Sequence, residues 1–422
     1  MLTREQNDRL TLTGPGTPGG ALLRRYWQPV ALSEELPAGG APKPLRVMSE
    51  DLVLFRDERG KAALLGLHCP HRGADLSYGR IEGGGLRCLY HGWLFAPDGR
   101  CLDQPGEPPE STFKERVTHT AYPCHEANGL ILAYMGPGDP PPVPKLPFLV
   151  APRESVWCTK LWHECNYLQG NEGNVDPQHL SILHRFGDPE ELFRDSRVIM
   201  SGDLAPQIIV EETSFGLRAY AVRNASDDEV YVRISNFVMP NGSAFDGVPL
   251  SDPKTTRPQP NEGYQSHWHV PIDDEHHYKY VIVHRYEGPI DRDFMDREIK
   301  GEVDEKYARR PSKANRYFQN RDDMTSTYTG MGRNFQDHDR FAVEGAGPIF
   351  DRTRERLGRS DAALIVMRKQ MLKAIDDVLA GRDPLGVARD PAVNPFADLV
   401  VRSQRLPKGA EVPGFWRSAV SA

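Results

Sequence analysis

The sequence contains two short motifs that each combine one cysteine with one histidine. Among the features of the sequence, these motifs restrict the possible fold most strongly. They are Cys69-Pro-His71 and Cys88-Leu-Tyr-His91, with 16 residues between them. Thiolate and imidazole groups are metal ligands. Because the two ligands of each motif are so close in sequence, each pair must lie on one tight loop. Two such loops at the tips of hairpins would bring four ligands together, which predicts a small β-rich domain around a metal centre.

Two kinds of metal centre use two cysteines and two histidines. One is a structural zinc site, and the other is a Rieske [2Fe–2S] cluster, in which the cysteines bind one iron and the histidines bind the other. Zinc fingers usually place like ligands together in each half, whereas both halves are mixed here. The wider text, Cys69-Pro-His-Arg-Gly-Ala and Cys88-Leu-Tyr-His-Gly-Trp93, closely resembles the Rieske signature. The cluster ligands implied by this resemblance are Cys69, His71, Cys88 and His91.

The residues around the four ligands indicate one type of Rieske domain. Rieske domains of the respiratory type carry an additional cysteine in each loop, and the two cysteines form a disulfide. Here Arg72-Gly73-Ala74 follows the first histidine, and Gly92-Trp93 follows the second. The motif therefore resembles the oxygenase type. Fewer hydrogen bonds to the cluster imply a lower reduction potential, which suits the delivery of electrons to an iron that activates oxygen.

A proline-rich run divides the chain. It reads Pro137-Gly-Asp-Pro-Pro-Pro-Val-Pro-Lys-Leu-Pro147 and predicts a stiff linker that cannot be helical. Short β-type runs with turn signals precede it, so residues 41–140 are predicted to form the Rieske domain. The remaining residues, 141–422, would form a catalytic domain, and the N-terminal segment 1–40 is expected to pack on it.

The predicted fold class is α+β, with an all-β Rieske domain inserted in a larger catalytic domain. Alternating apolar text over 207–211, 217–222 and 278–283 predicts strands in that larger domain. One helix is predicted from Ala362 to Leu379, with Ser360-Asp361 as its cap and Gly381 after its end. The family resemblance given below implies that helices and an antiparallel sheet form a helix-grip-like domain.

A second candidate metal site follows the linker. The text Asp176-Pro177-Gln-His179-Leu-Ser-Ile-Leu-His184 contains two histidines and a carboxylate. Such a set can form the facial triad of non-haem Fe(II). On a regular helix, His184 would lie about 140° round from His179 (five residues at about 100° each), so the two imidazoles would diverge. Pro177 gives a reason for an irregular path. Considered alone, the two histidines are equally consistent with buried core residues.

Downstream of a Rieske motif, this spacing resembles that of the Rieske non-haem iron aromatic ring-hydroxylating oxygenases, in their large (alpha) subunit. The resemblance is to the phthalate 4,5-dioxygenase-like branch and extends over nearly the whole chain. It implies that His179 and His184 bind a mononuclear non-haem Fe(II). It also implies that Asp176 connects a ligand histidine to a Rieske histidine of the neighbouring subunit, in a homotrimer or a pair of trimers.

The third ligand should be an acidic residue further along the chain. The phthalate-dioxygenase-like branch carries an Asp eight residues before a Gly-Pro pair and a Glu five residues after that Asp. Counting back from Gly347 gives Asp339, and Glu344 then falls at the expected place. Asp337 is the alternative, because it forms the Gln-Asp dipeptide often seen there. The resemblance thus implies Asp339 as the third ligand, with His338 as a bystander.

The same resemblance implies the activity. The chain would be the oxygenase component of a multicomponent enzyme, using O2 and electrons from a separate ferredoxin or NAD(P)H-dependent reductase. It also resembles oxygenase components that O-demethylate lignin biaryls such as 5,5′-dehydrodivanillate. O-demethylation of a lignin-derived methoxylated aromatic acid is therefore expected. Ring dihydroxylation of a phthalate-type carboxylate is the alternative, and a Rieske electron-transfer protein without its own catalysis is the alternative from another class.

Composition excludes several other functions. With 52 basic and 59 acidic residues, the formal charge is −7, which argues against a nucleic-acid binder. The apolar runs are far shorter than the roughly 20 residues that cross a membrane, and no export signal is visible, so a cytoplasmic protein is expected. Residues 14–19 match G-x-G-x-x-G but contain two prolines and follow no strand, so they predict no dinucleotide site. The electron donor should therefore be another protein.

Two further groups of residues have simpler interpretations. Five histidines in alternating strand text are predicted to lie on the surface or on pocket walls, and they are His267, His269, His276, His277 and His284. The arginine-rich run over 351–356 is predicted to be the solvated face of a helix.

Overall fold

The structure is a computed structural model that describes residues 1–187, 194–247, 250 and 261–417. The strands of this described part form four antiparallel sheets, and helices cover the largest of them. This arrangement confirms the predicted α+β class.

Two four-stranded sheets form a small β module. Their orders are β2-β3-β4-β9 and β5-β6-β7-β8. The strands are β2 Lys43–Val47, β3 Glu50–Arg56, β4 Ala62–Gly66, β5 Arg80–Glu82, β6 Gly85–Arg87, β7 Leu94–Phe95, β8 Cys101–Asp103 and β9 Ala121–Tyr122. Alternate side chains of β3 enter different cores. Val53 and Phe55 pack inside the module, whereas Leu52 and Leu54 pack in the main core of the protein. This strand therefore joins the module firmly to the rest of the chain.

A three-stranded sheet lies against the main core. Its order is β1-β11-β10, with β1 at Trp27–Leu32, β10 at Cys124–Ala127 and β11 at Leu130–Tyr134. Every side chain of β1 and β11 is buried. Trp27 also fixes the proline-rich linker, because its indole N–H donates to the carbonyl of Pro141 at 2.8 Å.

The largest sheet has eight strands. Its order is β12-β18-β17-β16-β15-β14-β13, and β19 pairs with β15. The strands are β12 Val156–His163, β13 Gln207–Thr213, β14 Gly216–Asn224, β15 Glu229–Val238, β16 Gly242–Phe245, β17 Gly263–Pro271, β18 His277–Arg285 and β19 Ser403–Pro407. The strands predicted over 207–211, 217–222 and 278–283 all lie within this sheet.

Eight α-helices are present in the described residues. They are α1 Arg4–Thr11, α2 Pro18–Leu23, α3 Pro147–Val150, α4 Tyr167–Val175, α5 Arg194–Gly202, α6 Arg292–Met295, α7 Phe335–Glu344 and α8 Ala362–Leu379. A π-helical turn at Asp296–Lys300 extends α6. The helices α4 and α8 pack on the eight-stranded sheet, while α1 and α2 pack on α8. The sheet, α4 and α7 together position the site described below.

The predicted C-terminal helix has the bounds found for α8. Gly381 follows it with a φ of +76°, and its N–H donates to Val378 at 3.0 Å. The cap differs in detail, because the Asp361 carboxylate accepts from the N–H of Gly358 rather than from the first turn of the helix.

The prediction for the arginine-rich run at 351–356 is wrong. The segment is not helical, and Arg352 is fully buried. Its guanidinium donates to both carboxylate oxygens of Glu172 on α4, at 2.8 and 2.7 Å. Because these partners are 180 residues apart in sequence, no local pattern could reveal the contact.

Candidate metal centres

The two cysteine–histidine motifs form loops of the same shape. In each loop, the N–H of the cysteine donates at 2.8 Å to a carbonyl five residues later, that of Ala74 or of Trp93. The N–H of the glycine four residues after the cysteine donates back to the cysteine carbonyl. Gly73 and Gly92 both have a φ of +74°, which favours glycine because it has no Cβ. The first loop follows β4, and the second joins β6 to β7.

The two loops place the two thiols next to each other and the two imidazoles next to each other. The thiols of Cys69 and Cys88 interact with each other, and the ring centroids of His71 and His91 are 4.4 Å apart. Both cysteines are 3% exposed, whereas both histidines lie at the surface. Within the described residues, no three ligand atoms of this set lie within 4.8 Å of one another. A single zinc ion needs four ligands around one point. The arrangement therefore suits a cluster with the cysteines on one iron and the histidines on the other.

Buried aromatic and thiol groups surround this first centre. The indole of Trp93 stacks on the ring of His71, with centroids 4.5 Å apart and an angle of 5° between planes. Burial raises the pKa of Cys69 to about 11, and the neighbouring Cys88 opposes ionisation further. The thiolate form at neutral pH therefore requires the positive charge of a metal.

The second candidate centre is built from the loop after α4 and from α7. The helix α4 ends two residues before Pro177, and a 3-10 turn at 179–181 follows. This irregular path brings the rings of His179 and His184 to a centroid distance of 5.3 Å. From α7, Asp339 places Oδ1 at 3.1 Å from Nε2 of His184 and at 3.9 Å from Nε2 of His179. The ligand atoms of all three residues lie within 4.8 Å of one another.

The chemistry of this triad fits a divalent iron. Burial lowers the pKa of His184 to about 4, although the nearby negative charge of Asp339 acts to raise it. The imidazole is therefore neutral at neutral pH and able to bind a metal. Burial alone would raise the pKa of Asp339, but the nearby His184 and Lys279 hold it well below its usual range. Two imidazoles and one carboxylate match the facial triad, which leaves coordination positions open. The described residues supply no fourth ligand to this group.

Hydrogen bonds fix which nitrogen of His184 faces the triad. The Nε2–H of His338 donates to the carbonyl of Gly332 at 2.9 Å, so Nδ1 of His338 carries a lone pair. That lone pair accepts from Nδ1–H of His184 at 3.1 Å. The remaining nitrogen of His184, Nε2, is therefore unprotonated and points at Asp339. His338 is not a bystander, because it sets the tautomer of His184.

Asp339 and its neighbour Asp337 have different surroundings. Asp337 lies at 2.8 and 2.9 Å from the guanidinium of Arg309 in a buried, bidentate ion pair. The carboxylate of Asp337 is thus paired with Arg309 and does not belong to the triad. The structure therefore brings Asp339, and not the alternative Asp337, to the two histidines.

Asp176 lies on the outer side of His179. Its Oδ2 is 3.6 Å from Nδ1 of His179, while Oδ1 accepts from the N–H of Gln178 at 2.7 Å. Burial would lower the pKa of His179, but the carboxylates of Asp176 and Asp339 outweigh burial and raise it. The side chain of Asp176 is 28% exposed, so it links the triad to the surface of the protein.

Buried arginines hold this loop in place. Arg223 on β14 donates to the carbonyl of Pro177 at 2.7 Å and to the hydroxyl of Ser181 at 3.1 Å. Beneath α4, Arg352 and Arg368 both donate to Glu172. The helix that leads into the loop is therefore tied to α8 and to the segment before it.

Three of the five strand histidines form part of a buried row below α4. Nδ1–H of His277 donates to the carbonyl of Cys165 at 2.7 Å, so its Nε2 accepts from His269 at 3.0 Å. Nε2 of His269 then accepts from the amide of Asn174 on α4 at 2.6 Å. The third, His267, lies 3.3 Å from the same amide. A Cβ at Gly170 would lie 2.4 Å from His269, so a glycine allows α4 to approach this row.

The placement of the five strand histidines differs in part from the prediction. His267, His269 and His277 are buried polar groups rather than surface residues, and His284 is buried as well. His276 is half-buried and pairs with Asp273. Burial lowers the pKa of all three histidines of the row.

Comparison with known proteins identifies the family. Residues 26–121 match the Rieske [2Fe-2S] domain family, and residues 133–412 match the family described as LigXa C-terminal domain like. The phthalate 4,5-dioxygenase oxygenase subunit of Pseudomonas putida is 37% identical over 92% of this chain and 89% of that subunit. The chain belongs to the Rieske non-haem iron oxygenases. It is an oxidoreductase that carries a Rieske [2Fe–2S] domain, and members of its family use a mononuclear non-haem iron.

Other Rieske oxygenases match over similar lengths. The 5,5′-dehydrodivanillate O-demethylase oxygenase subunit of a Sphingobium species is 32% identical over 93% of this chain and 85% of that subunit. Among solved structures, an oxygenase and ferredoxin complex of carbazole 1,9a-dioxygenase has a TM-score of 0.59 and 22% identity, covering 87% of this chain and 94% of that one. The structural match shows the same fold. Among the helices of the described residues, none combines the length and apolar character needed to cross a bilayer.

Proposed function

We propose that this Rieske oxygenase O-demethylates a lignin-derived methoxylated aromatic acid, using O2 and electrons from a separate ferredoxin or reductase. The observation that carries its catalytic role is the triad of His179, His184 and Asp339 in the same chain as a Rieske domain. An electron-transfer protein without its own catalysis has no need of a second metal site. Support for demethylation comes from the similarity to the 5,5′-dehydrodivanillate O-demethylase subunit.

Each centre has a distinct role in this proposal. Cys69, His71, Cys88 and His91 would hold the [2Fe–2S] cluster that accepts electrons. The triad would hold Fe(II), which when bound supplies the activation of O2. His338 keeps Nε2 of His184 free for the metal, and Arg223 keeps the loop that carries both histidines in place. The net reaction converts an aryl methyl ether, O2, two electrons and two protons into a phenol, formaldehyde and water.

Asp176 would carry electrons between subunits. It contacts the outer nitrogen of a triad histidine, and part of its surface is exposed. These contacts suit a carboxylate that also reaches a Rieske histidine of a neighbouring copy in a homotrimer or a pair of trimers. Asp176→Asn should therefore bind both metals normally and lose nearly all turnover. Iron content, the spectrum of the cluster and product formation measure this, and normal turnover by the variant would contradict the role. A trimeric state and a cytoplasmic location stay predictions.

The main experiment combines iron counting with product analysis. An oxygenase holds three irons per chain and an electron carrier holds two. With a surrogate reductase, a panel of methoxylated aromatic acids should yield formaldehyde in proportion to O2 consumed. Asp339→Ala should abolish both formaldehyde and the third iron, whereas the exposed Asp390→Asn serves as a control. Formation of no formaldehyde from any methoxylated acid would contradict demethylation.

Ring dihydroxylation is the second candidate. It is favoured by the 37% identity to the phthalate 4,5-dioxygenase oxygenase subunit. This reaction would place both oxygen atoms of O2 on the ring of a phthalate-type acid without releasing formaldehyde. Incubation with phthalate under 18O2, followed by mass spectrometry of the product, separates it from demethylation.

A further inference from the structure

A buried lysine on the sheet face beneath α4 and α7, the helix that carries Asp339, makes no hydrogen bond or ion pair with the described residues. Lys279 lies on β18 and is 1% exposed. In the described part of the chain, every other buried lysine or arginine donates a hydrogen bond to a carboxylate, a carbonyl or a hydroxyl. Those residues are Arg24, Lys160, Arg218, Arg223, Arg233, Arg340, Arg352 and Arg368. Removing an ammonium group from water without a partner is costly, so such a group implies a ligand.

Two carboxylates of α7 already pair with other basic side chains and are not partners of Lys279. Asp337 is taken by Arg309, and Glu344 is taken by Arg340. The carboxylate with the strongest electrostatic influence on Lys279 is that of Asp339. Iron in the triad would compensate the charge of Asp339, which leaves the positive charge of Lys279 without a counterion.

The neighbours of Lys279 on the sheet are neutral. His269 lies directly opposite it on β17, and His277 lies two residues before it on the same face of β18. Both imidazoles have lowered pKa values because of burial. Burial also lowers the pKa of Lys279, to about 8, so most of the ammonium groups remain protonated at neutral pH. The site therefore presents one positive charge in neutral, polar surroundings.

We infer that the Lys279 ammonium binds the carboxylate of the aromatic substrate and thereby orients the ring at the triad. This inference rests on the proposed function, because it assumes an aromatic acid as the substrate. The hydrogen bonds of such a buried ion pair are charge-assisted, and therefore shorter and stronger than those between neutral groups; the pair also restores neutrality when substrate enters. A neutral analogue would leave the ammonium unpaired, so the enzyme should select against it.

The test measures binding of acid and amide pairs to the iron-loaded holoenzyme. The probes are phthalate, 3-chlorobenzoate, phenoxybenzoate and 5,5′-dehydrodivanillate, and the acid that binds best is compared with its carboxamide by calorimetry. Lys279→Met should weaken binding of the acid at least about 30-fold and leave binding of the carboxamide unchanged. Lys279→Arg should keep most of the preference for the acid. Lys279→Gln gives the same comparison if the methionine variant does not fold.

A matched control is available on the opposite face of the sheet. Lys160 on β12 is 3% exposed and pairs with Glu35 at 2.7 Å. Lys160→Met should lower the melting temperature without changing the preference for the acid. Lys279→Met should melt no lower than the wild type, because it removes an unpaired buried charge.

The outcomes separate the two hypotheses. If the wild type binds an acid and Lys279→Met binds it equally well, the anchor is wrong and the proposed function stands. The anchor is also wrong if Lys279→Met melts well below the wild type and loses acid and amide alike, since that result indicates a structural role. A wild type that binds none of these acids refutes the anchor, whereas the proposed function is refuted separately, when no methoxylated acid yields formaldehyde.

Discussion

Replacement of His338 tests whether hydrogen bonds outside the triad control metal binding. The substitution His338→Phe keeps a flat ring beside His184, whose centroid lies 5.4 Å away, but removes the nitrogen that accepts from His184. The Nδ1–H of His184 would then be buried without a partner. The bond itself contributes about 1 kcal/mol, and an unsatisfied buried donor costs about 1 to 3 kcal/mol.

These costs predict a measurable loss of iron. Loss of a partner outside the ligand set typically weakens metal binding about 10- to 100-fold, which corresponds to roughly 1.4 to 2.7 kcal/mol. Titration of Fe(II)-loaded protein with a chelator measures the affinity. The spectrum of the Rieske cluster should stay unchanged, so iron lost from the triad can be distinguished from iron lost from the cluster.

The control is another histidine that also bonds to a neighbour. His276 is half-buried and pairs with Asp273 at 2.9 Å, outside the triad. His276→Phe should bind iron as the wild type does. Wild-type affinity in His338→Phe would refute the role of His338 in fixing the tautomer of His184.

Four further substitutions test the surroundings of the two centres. Gly73→Ala and Gly92→Ala both place alanine at a φ of +74°, costing about 1 to 2 kcal/mol each. Only a Cβ at Gly92 also meets Pro105, at 2.9 Å, so cluster content should fall further in Gly92→Ala; equal losses would contradict this. Asp337→Asn leaves Arg309 buried without its counterion and should lower the free energy of unfolding by about 3 to 5 kcal/mol. An unchanged denaturant midpoint for Asp337→Asn would contradict this prediction. Burial raises the pKa of Glu172, but Arg352 and Arg368 outweigh it, so the folded-state pKa lies below the ordinary 4.5. The stabilisation is therefore present above about pH 4.5 and lost at lower pH, and the difference in melting temperature between wild type and Glu172→Gln should narrow as pH falls through this range. A constant difference would contradict it.

The features that could be predicted from the sequence are local ones. The two cysteine–histidine motifs indicate their loops because a loop of this kind needs only six consecutive residues. The bounds of α8 follow from its own composition and from Gly381. The irregular path between His179 and His184 follows from Pro177, and the structure shows the break in the helix that the proline predicts.

The features that sequence analysis missed depend on contacts between distant segments. His338 acts through His184, which lies 154 residues earlier, and Arg352 acts through Glu172. Lys279 carried one signal, since this lysine directly precedes the apolar and aromatic run 280–283 of β18. Only the fold shows that this position is buried beneath α4 and not exposed to solvent.

The buried row of Asn174, His269 and His277 has a consequence for how variants in this region behave. Each hydrogen in the row is donated in one direction, towards the carbonyl of Cys165. If one side chain of the row turned from donor to acceptor, its neighbour would have to move its own proton to the other nitrogen. The hydrogen bonds of the three side chains are therefore coupled. Substitutions along the row should therefore be strongly non-additive. Because the carbonyl of Cys165 can only accept, reversal would leave it without a donor, so the row has a single satisfied arrangement of protons, in which the amide of Asn174 donates into the sheet.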